Sequence, residues 1–308
     1  MRQFIVEKGK EKNGLIHLDG KDYRYLRQVL RVRAGDMLSV RLPDGELKNA
    51  TVAKIDESAR NITLQICANT AGVGRDGATA KSITRGVQAG EIDGGDEAMS
   101  GAENRAVNGA AVVEYWLFQF LPRPQKFELI VRQATECGVA VIVPVIGDFS
   151  EKSSAQAILG SKRERLERII KEARQQSGSP VDTKVTEPVS LDKALEMWNE
   201  VSGSEHTDGS ADSSSPDLSV AFVLSERGDC GGNLRAVVER AGGCGKIKRA
   251  AIAVGSEGGI SPQEVKTLEE KGLFEPIHFA VNILRCETAA LYGIAAVQSE
   301  INISGGVL

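Results

Sequence analysis

Two segments near the C-terminus constrain the fold of this 308-residue chain more than any other feature. Residues 249–265 read R-A-A-I-A-V-G-S-E-G-G-I-S-P-Q-E-V, and residues 279–296 read F-A-V-N-I-L-R-C-E-T-A-A-L-Y-G-I-A-A. We interpret each as an apolar strand that runs through a short loop into a helix. Because neighbouring strands of a parallel sheet end at the same edge, such a pair of loops is typical of a ligand pocket in an α/β protein.

The alternation of strands and helices extends over residues 112–308. We predict strands at 112–120, 140–145, 218–224 and 250–254, and helices at 125–137, 161–176, 191–201 and 234–241. Strands that alternate with helices indicate an α/β domain with a parallel, helix-covered sheet.

The first 69 residues have a different pattern. We predict short strands at 4–6, 15–18, 37–42, 50–55 and 62–66, with one helix at 21–31. Short strands separated by glycine turns favour a small β-barrel. Residues 70–111, with nine glycines and no aromatic residue, are interpreted as a flexible linker or insertion, and residues 202–216 as a second, low-complexity insertion.

Composition narrows the class of protein. No run of 18 apolar residues predicts a membrane span, and the charged start of the chain does not resemble an export signal. Five cysteines without a C-x-x-C pair and only three histidines favour a reducing cytoplasm and disfavour a metal site. The net charge of −4 equals the charge of the acidic residues 202–217 alone, so basic patches elsewhere are compatible with it.

The first C-terminal loop combines glycines with a helix start. Ser261 is a natural N-cap, Pro262 suits the first helical position, and Glu264 completes a capping box. The glycines let the backbone approach a ligand closely, but a tight strand-to-helix turn accounts for them equally well. Their spacing matches neither G-x-G-x-x-G nor a P-loop, which disfavours a nicotinamide-dependent oxidoreductase.

The second loop carries Arg285 at a predicted helix start, which suits contact with an anion. The structural alternative is an ordinary helix N-terminus in which Glu287 complements the helix dipole. Cys286 has no neighbouring histidine in sequence, which disfavours a nucleophilic role.

Arginines mark candidate RNA contacts. Three of those near the N-terminus recur at i, i+3 and i+7, so on a regular helix they share one face. Contact with phosphates and a solvated basic face are both compatible with this pattern. Helix 161–176 is interpreted as a salt-bridged surface helix that contributes two further candidates. The candidate RNA-binding residues are Arg24, Arg27, Arg31, Arg33, Arg168 and Arg174.

Five ordered motifs resemble a known family. G-S-E-G-G-I-S-P-x-E, followed by I-L-R-x-E-T-A, closely resembles the SPOUT class of S-adenosylmethionine-dependent RNA methyltransferases, and within it the RsmE type. Y-L-R-Q-V-L-R-V-R-A-G-D at 25–36, A-T-E-C-G-V at 134–139 and E-A-R-Q-Q-S at 172–177 resemble further motifs of that type. The resemblance covers nearly the whole chain apart from the two insertions.

The resemblance implies a fold, a reaction and partners. We expect a PUA-like RNA-binding β-barrel over 1–69 and, over 112–308, a parallel α/β domain tied in a deep trefoil knot. The implied reaction is methylation of N3 of a uridine in 16S ribosomal RNA of the small ribosomal subunit by a cytoplasmic homodimer, without a metal. The residues implied to bind S-adenosylmethionine are Leu224, Gly255, Glu257, Gly258, Gly259, Ile283, Leu284, Arg285, Thr288 and Ala289.

Methyl transfer to N3 requires positioning and removal of a proton. We expect Arg285 to orient the uridine or to stabilise its anion, while Glu257 is either a base or a hydrogen-bond acceptor that fixes the loop. Three positions depart from the family pattern: Tyr25 replaces a histidine, Ser256 a proline and Gly178 an arginine. Tyr25 and Ser256 support the alternative of a catalytically degenerate RNA-binding ribosome assembly factor of the same fold.

Overall fold

The computed structural model describes residues 3–67, 113–160, 162–203, 218–225, 233–242 and 246–304. The chain forms two compact units, one of residues 4–103 and one of residues 1–3 with 104–308. The predicted linker at 70–111 and residues 204–216 of the second insertion lie outside the described residues.

The N-terminal unit is built on an open six-stranded sheet. Its strands are β1 Gln3–Ile5, β2 Glu11–Lys12, β3 Leu15–Leu18, β4 Met37–Arg41, β5 Leu47–Asp56 and β6 Asn61–Ile66. They lie in the order β1-β4-β5-β6-β3-β2, and the pairs β2–β3, β3–β6, β4–β5 and β5–β6 are antiparallel. The strands predicted here are confirmed, but the sheet in the described residues is a half-barrel with β1 and β2 at its two ends.

The helix predicted at 21–31 is present over 20–29, but its second half is not a regular α-helix. Helix α1, Gly20–Arg24, passes into a π-helical turn, Tyr25–Val29, which the amide of Leu30 closes on the carbonyl of Tyr25 at 3.0 Å. Arg31 then takes a left-handed φ of 55°. A π turn holds more residues than an α turn, so the i, i+3, i+7 spacing does not place three arginines on one face.

The C-terminal unit contains a seven-stranded sheet in which every described pair is parallel. Its strands are β7 Glu114–Phe120, β8 Val141–Ile146, β9 Lys184–Val185, β10 Val189–Ser190, β11 Leu218–Leu224, β12 Ile247–Val254 and β13 Glu275–Ile277. Their order is β10-β8-β7-β12-β11-β13, and β9 pairs with β8 off this path. The predicted parallel α/β sheet is confirmed.

Helices cover both faces of this sheet. They are α2 Pro124–Glu136, α3 Lys152–Leu159, α4 Arg163–Ser177, α5 Leu191–Ser202, α6 Leu234–Arg240, α7 Pro262–Gly272 and α8 Cys286–Ser304. Successive strand residues point to opposite faces, so Leu117 packs in one core with Ile130 of α2, while Phe118 packs in the other with Trp198 of α5. Helix α3 was not predicted from the sequence.

Candidate functional site

Three loops meet at the carboxyl ends of the neighbouring strands β8, β7 and β12. The amide of Arg123, after β7, donates to the Glu257 carboxylate after β12, at 3.2 Å and 3.3 Å from its two oxygens. The Ser256 hydroxyl donates to the carbonyl of Phe149, after β8, at 3.0 Å. These bonds hold the loops of three strands together at one edge of the sheet.

The glycine loop at 255–261 has no space for side chains at two positions. A Cβ on Gly255 would lie 2.6 Å from the backbone carbon of Gly259, and a Cβ on Gly258 would lie 2.7 Å from the Cβ of Phe149. Gly259 also has a left-handed φ of 79°. The glycines are therefore required by close packing and backbone conformation, and they leave bare main chain at the strand end.

The helix start that follows the loop is the predicted one. Ser261 caps α7, Pro262 is its first residue, and Ser261 and Glu264 form a reciprocal capping box. The amide of Asp148 also donates to Oε1 of Glu264 at 2.8 Å, so the capping residues hold the loop after β8 as well.

The side chain of Gln119 on β7 holds the backbone at the end of β12 by hydrogen bonds. Its side chain is fully buried, and Nε2 donates to the carbonyls of Gly255 at 3.0 Å and Phe120 at 2.9 Å. Oε1 of Gln119 has no hydrogen-bond partner among the described residues. Because Nε2 faces carbonyl oxygens, the amide cannot be turned over to satisfy Oε1 without losing these bonds.

A cluster of charged groups joins the glycine loop to the start of α8. We call Lys126, Glu257, Cys286 and Glu287 the charge cluster. Nζ of Lys126 lies 3.2 Å from Glu287 and 3.6 Å from Glu257, and the Cys286 thiol lies 3.3 Å from the Glu287 carboxylate. Lys126, on the first turn of α2, thereby connects the two segments that the sequence singled out.

The surroundings of Glu287 and Lys126 in the charge cluster favour the charged form of both side chains. Burial opposes ionisation of Glu287, but hydrogen bonds from its own amide, Cys286 and Lys126 lower the pKa of Glu287. Burial also opposes the charge of Lys126, yet Glu287 and Glu257 raise the pKa of Lys126. Burial, the hydrogen bond to Glu287 and the charge of Glu257 raise the pKa of Cys286 to about 12, so its thiol stays protonated.

The strand predicted directly before the second C-terminal loop is wrong in position. The last strand, β13, ends at Ile277, and residues 278–285 form a loop before α8. Ile283 is 80% exposed on this loop, and the Arg285 side chain is exposed without a hydrogen bond or ion pair to any described residue. Arg285 is thus available to a ligand rather than committed to the fold.

Comparison with known proteins assigns the family. An RNA methyltransferase domain model matches residues 110–298. The chain belongs to the RNA methyltransferase domain family. It is 32% identical over 164 residues to a ribosomal RNA small subunit methyltransferase E of Aquifex aeolicus, a match that covers 53% of this chain and spans 58% of that relative. It is 24% identical to ribosomal RNA small subunit methyltransferase E 2 of Borreliella burgdorferi, over 96% of both chains.

A solved structure shares the fold. The crystal structure of a ribosomal RNA small subunit methyltransferase E from Neisseria gonorrhoeae, bound to S-adenosyl methionine, superposes with a TM-score of 0.64. The match covers 97% of each chain at 19% sequence identity. The likeness therefore extends over both units of this family member.

Several residues predicted to bind the cofactor come together in the structure. Through Lys126, the glycine loop and Glu257 are joined to the start of α8, where Thr288 is exposed and Ala289 half-buried. Leu224 ends β11 and packs against α8, because a Cβ on Gly293 would lie 2.7 Å from its Cδ1. Ile283 and Leu284 lie on the loop before α8.

The predicted RNA-binding arginines differ in their surroundings. Arg27 donates to the carbonyl of Val32 at 2.9 Å and pairs with Glu57 at 2.6 Å, so it contributes to its own unit. Arg174 is largely buried and paired with Asp182. The side chains that the structure leaves exposed are Arg24, Arg31, Arg33 and Arg168.

Sequence reasoning missed Lys126 and Gln119 as site residues. Lys126 lies on the first turn of the helix that leads into the A-T-E-C-G-V motif, so its place in a motif segment was a usable signal. Gln119, the one polar amide within the apolar and aromatic run 115–120, was a second signal. Among the described residues, no group of three or more His, Cys, Asp or Glu could hold a metal, and no helix is long and apolar enough to cross a membrane.

Proposed function

We propose that the protein transfers the methyl group of S-adenosylmethionine to N3 of a uridine in 16S ribosomal RNA of the small ribosomal subunit. The observation that carries this is the junction of two motif segments by Lys126 at the carboxyl edge of a parallel sheet, inside the range that matches the RNA methyltransferase family. The similarity to methyltransferases named for small-subunit ribosomal RNA supports the substrate.

The residues at this edge fit such a cofactor. Gly255 and Gly258 offer bare main chain where a Cβ would overlap its neighbours, and Leu224 and Ala289 add apolar surface. We assign cofactor binding to these residues together with Gly259, Ile283, Leu284 and Thr288. When bound, S-adenosylmethionine supplies a methyl group already activated on a sulfonium, so the protein has mainly to position and deprotonate the base.

Glu257 acts in this proposal as a brace. Its carboxylate accepts from the amide of Arg123 and faces the ammonium of Lys126, two contacts that fix its position in the loop. Both carboxylate oxygens already accept from the Arg123 amide, so we assign Glu257 a structural role in the loop. The chemistry thus rests on Arg285, whose guanidinium orients the uridine and stabilises the negative charge that develops as N3 loses its proton to solvent water.

Three finer features belong to the same proposal. We propose that the C-terminal unit carries a deep trefoil knot, that the N-terminal half-barrel is a PUA-like RNA-binding unit, and that two chains form a homodimer in the cytoplasm. The agreement in fold with the Neisseria gonorrhoeae structure over 97% of the chain supports the first two. The exposed side chains of Arg24, Arg31 and Arg33 support RNA contact by the N-terminal unit.

The decisive experiment combines a variant with analysis of the modified RNA. Arg285→Ala should abolish methylation of small ribosomal subunits while thermal unfolding and cofactor affinity, measured by calorimetry, change little. Mass spectrometry of 16S ribosomal RNA from cells lacking the protein should show loss of 3-methyluridine. Full methylation by Arg285→Ala would refute its assigned role, and absence of cofactor binding by the wild-type protein would favour the degenerate assembly factor.

A further inference from the structure

An aromatic side chain stands exposed beside the glycine loop. Phe149 lies on the loop after β8, and 53% of its surface is accessible. Its Cβ and ring pack over Gly258, because a Cβ added to that glycine would lie 2.7 Å from Cβ and 3.1 Å from Cγ of Phe149. Gly258 directly follows Glu257, so the ring borders the charge cluster.

The backbone that presents this ring is held from several sides. The Phe149 carbonyl accepts from Ser256 at 3.0 Å, and the neighbouring Asp148 accepts from Ser261 at 2.7 Å. Within the loop, the Gly147 amide donates to the hydroxyl of Ser150 at 2.9 Å. An exposed phenyl ring on a braced backbone loses little entropy when it meets a ligand, which is the property of a pre-organised contact.

An exposed cationic residue also adjoins this turn. The amide of Arg123 is bound to Glu257, but its guanidinium is exposed and has no hydrogen bond or ion pair among the described residues. Phe149 packs on Gly258 and the amide of Arg123 binds Glu257, so both residues adjoin residues 257–258. An aromatic face next to an arginine is the combination by which proteins hold an unstacked base and its phosphate.

We propose that Phe149 stacks on a base of the RNA substrate and that Arg123 contacts the adjoining phosphate, so that the pair guides the target nucleotide to the glycine loop. This rests on the proposed function, since it takes RNA as the substrate. Stacking on Phe149 requires an aromatic ring at position 149 but does not depend on which base is present, because every base has a π face.

The test separates an aromatic contact from a merely apolar one. Phe149→Leu keeps an apolar side chain on Gly258 but removes the ring, whereas Phe149→Tyr keeps the ring. We expect Phe149→Leu to weaken binding of a fluorescein-labelled single-stranded oligouridylate roughly tenfold, with Phe149→Tyr close to wild type. Arg123→Gln should reduce the slope of affinity against salt by about one. Leu159→Ala, at a side chain 56% exposed on α3, is the control and should change neither.

The same variants are assayed for methylation of small ribosomal subunits from cells lacking the protein. We expect Phe149→Leu to raise KM for subunits while the calorimetric Kd for S-adenosylmethionine stays unchanged. The proposal is overturned if Phe149→Leu binds oligouridylate and subunits as the wild-type protein does. It is also overturned if this variant loses cofactor affinity to the same extent, or if light scattering shows a changed oligomeric state. If the wild-type protein transfers no methyl group, the proposed function fails, and the oligouridylate measurement still decides the role of Phe149.

Discussion

Removing the ammonium of Lys126 should lower the affinity for S-adenosylmethionine more than it lowers the free energy of unfolding. In Lys126→Met, the carboxylates of Glu257 and Glu287 lose the cation that lies 3.6 Å and 3.2 Å from them. Their mutual repulsion is then uncompensated, and the glycine loop is no longer tied to the start of α8. Met retains most of the apolar stem, so packing on α2 should change little.

The magnitude follows from distance and exposure. At 3.2 Å and an effective dielectric constant of about 20, the Lys126–Glu287 attraction is about 5 kcal/mol before desolvation is counted. Lys126 is 30% and Glu287 16% exposed, so desolvation and solvent screening offset most of it. A hydrogen bond between charged groups contributes about 1.5 kcal/mol net, which corresponds to about a tenfold rise in the Kd for S-adenosylmethionine.

Calorimetric titration with S-adenosylmethionine measures this change, and urea unfolding measures stability in parallel. Lys193→Met is the matched control, because Lys193 pairs with Glu196 at 2.9 Å on α5 and both side chains are more than half exposed. That variant should leave both cofactor affinity and the free energy of unfolding essentially unchanged, because exposed ion pairs are screened by solvent. A Kd within twofold of wild type in Lys126→Met, or a negligible coupling energy in a double-mutant cycle with Glu287→Gln, would refute the reasoning.

Three further outcomes are expected. Gly255→Ala should destabilise the fold by roughly 2 kcal/mol and weaken cofactor binding, because its Cβ would lie 2.6 Å from the Gly259 backbone. Gly160→Ala, whose nearest new contact is 3.4 Å, should be tolerated, and equal effects in urea unfolding would contradict this. Since the pKa of Glu287 is lowered from 4.5, its stabilisation is complete above that pH and is lost as pH falls below it, so Glu287→Gln should flatten the acid limb of unfolding free energy against pH. Cys286, with its pKa raised to about 12, should be alkylated far more slowly in the native protein at pH about 8 than in urea, and equal rates by peptide mass spectrometry would contradict its burial.

Local rules predicted the parts of the site that are fixed by local contacts. Ser261, Pro262 and Glu264 form the predicted helix start because all partners of a capping box lie within one turn. The parallel sheet was likewise predictable, since the alternation of strands and helices requires it. The segment after β13 was not predictable in this way: residues 279–281 are apolar like a strand, but they lie in the loop before α8.

Other features depend on contacts that the sequence does not display. Helix α3, K-S-S-A-Q-A-I-L, begins with serines that favour turns, yet Ile158 is buried in the core and packing overrides propensity. The π turn after Arg24 likewise adds a residue that periodicity cannot foresee. A motif segment could point to Lys126, but its two ion pairs could not be predicted, because the carboxylate partners are distant in sequence and lie on different loops.

The buried amide of Gln119 explains how the glycine loop can be both open and fixed. Glycine-rich backbone has high conformational entropy, so holding it in one shape requires contacts that do not occupy the ligand side. One such contact is the hydrogen bond from the buried Gln119 side chain to the carbonyl of Gly255. Another is the hydrogen bond from the Ser256 hydroxyl to the carbonyl of Phe149 in the neighbouring loop. Oε1 of Gln119, which has no partner in the described part of the chain, costs about 1–3 kcal/mol, a local penalty of the kind that folds retain at functional sites. Ser256 thus restricts the loop backbone through its hydrogen bond, as a proline would restrict it through its ring. The serine at this position is therefore compatible with an active enzyme.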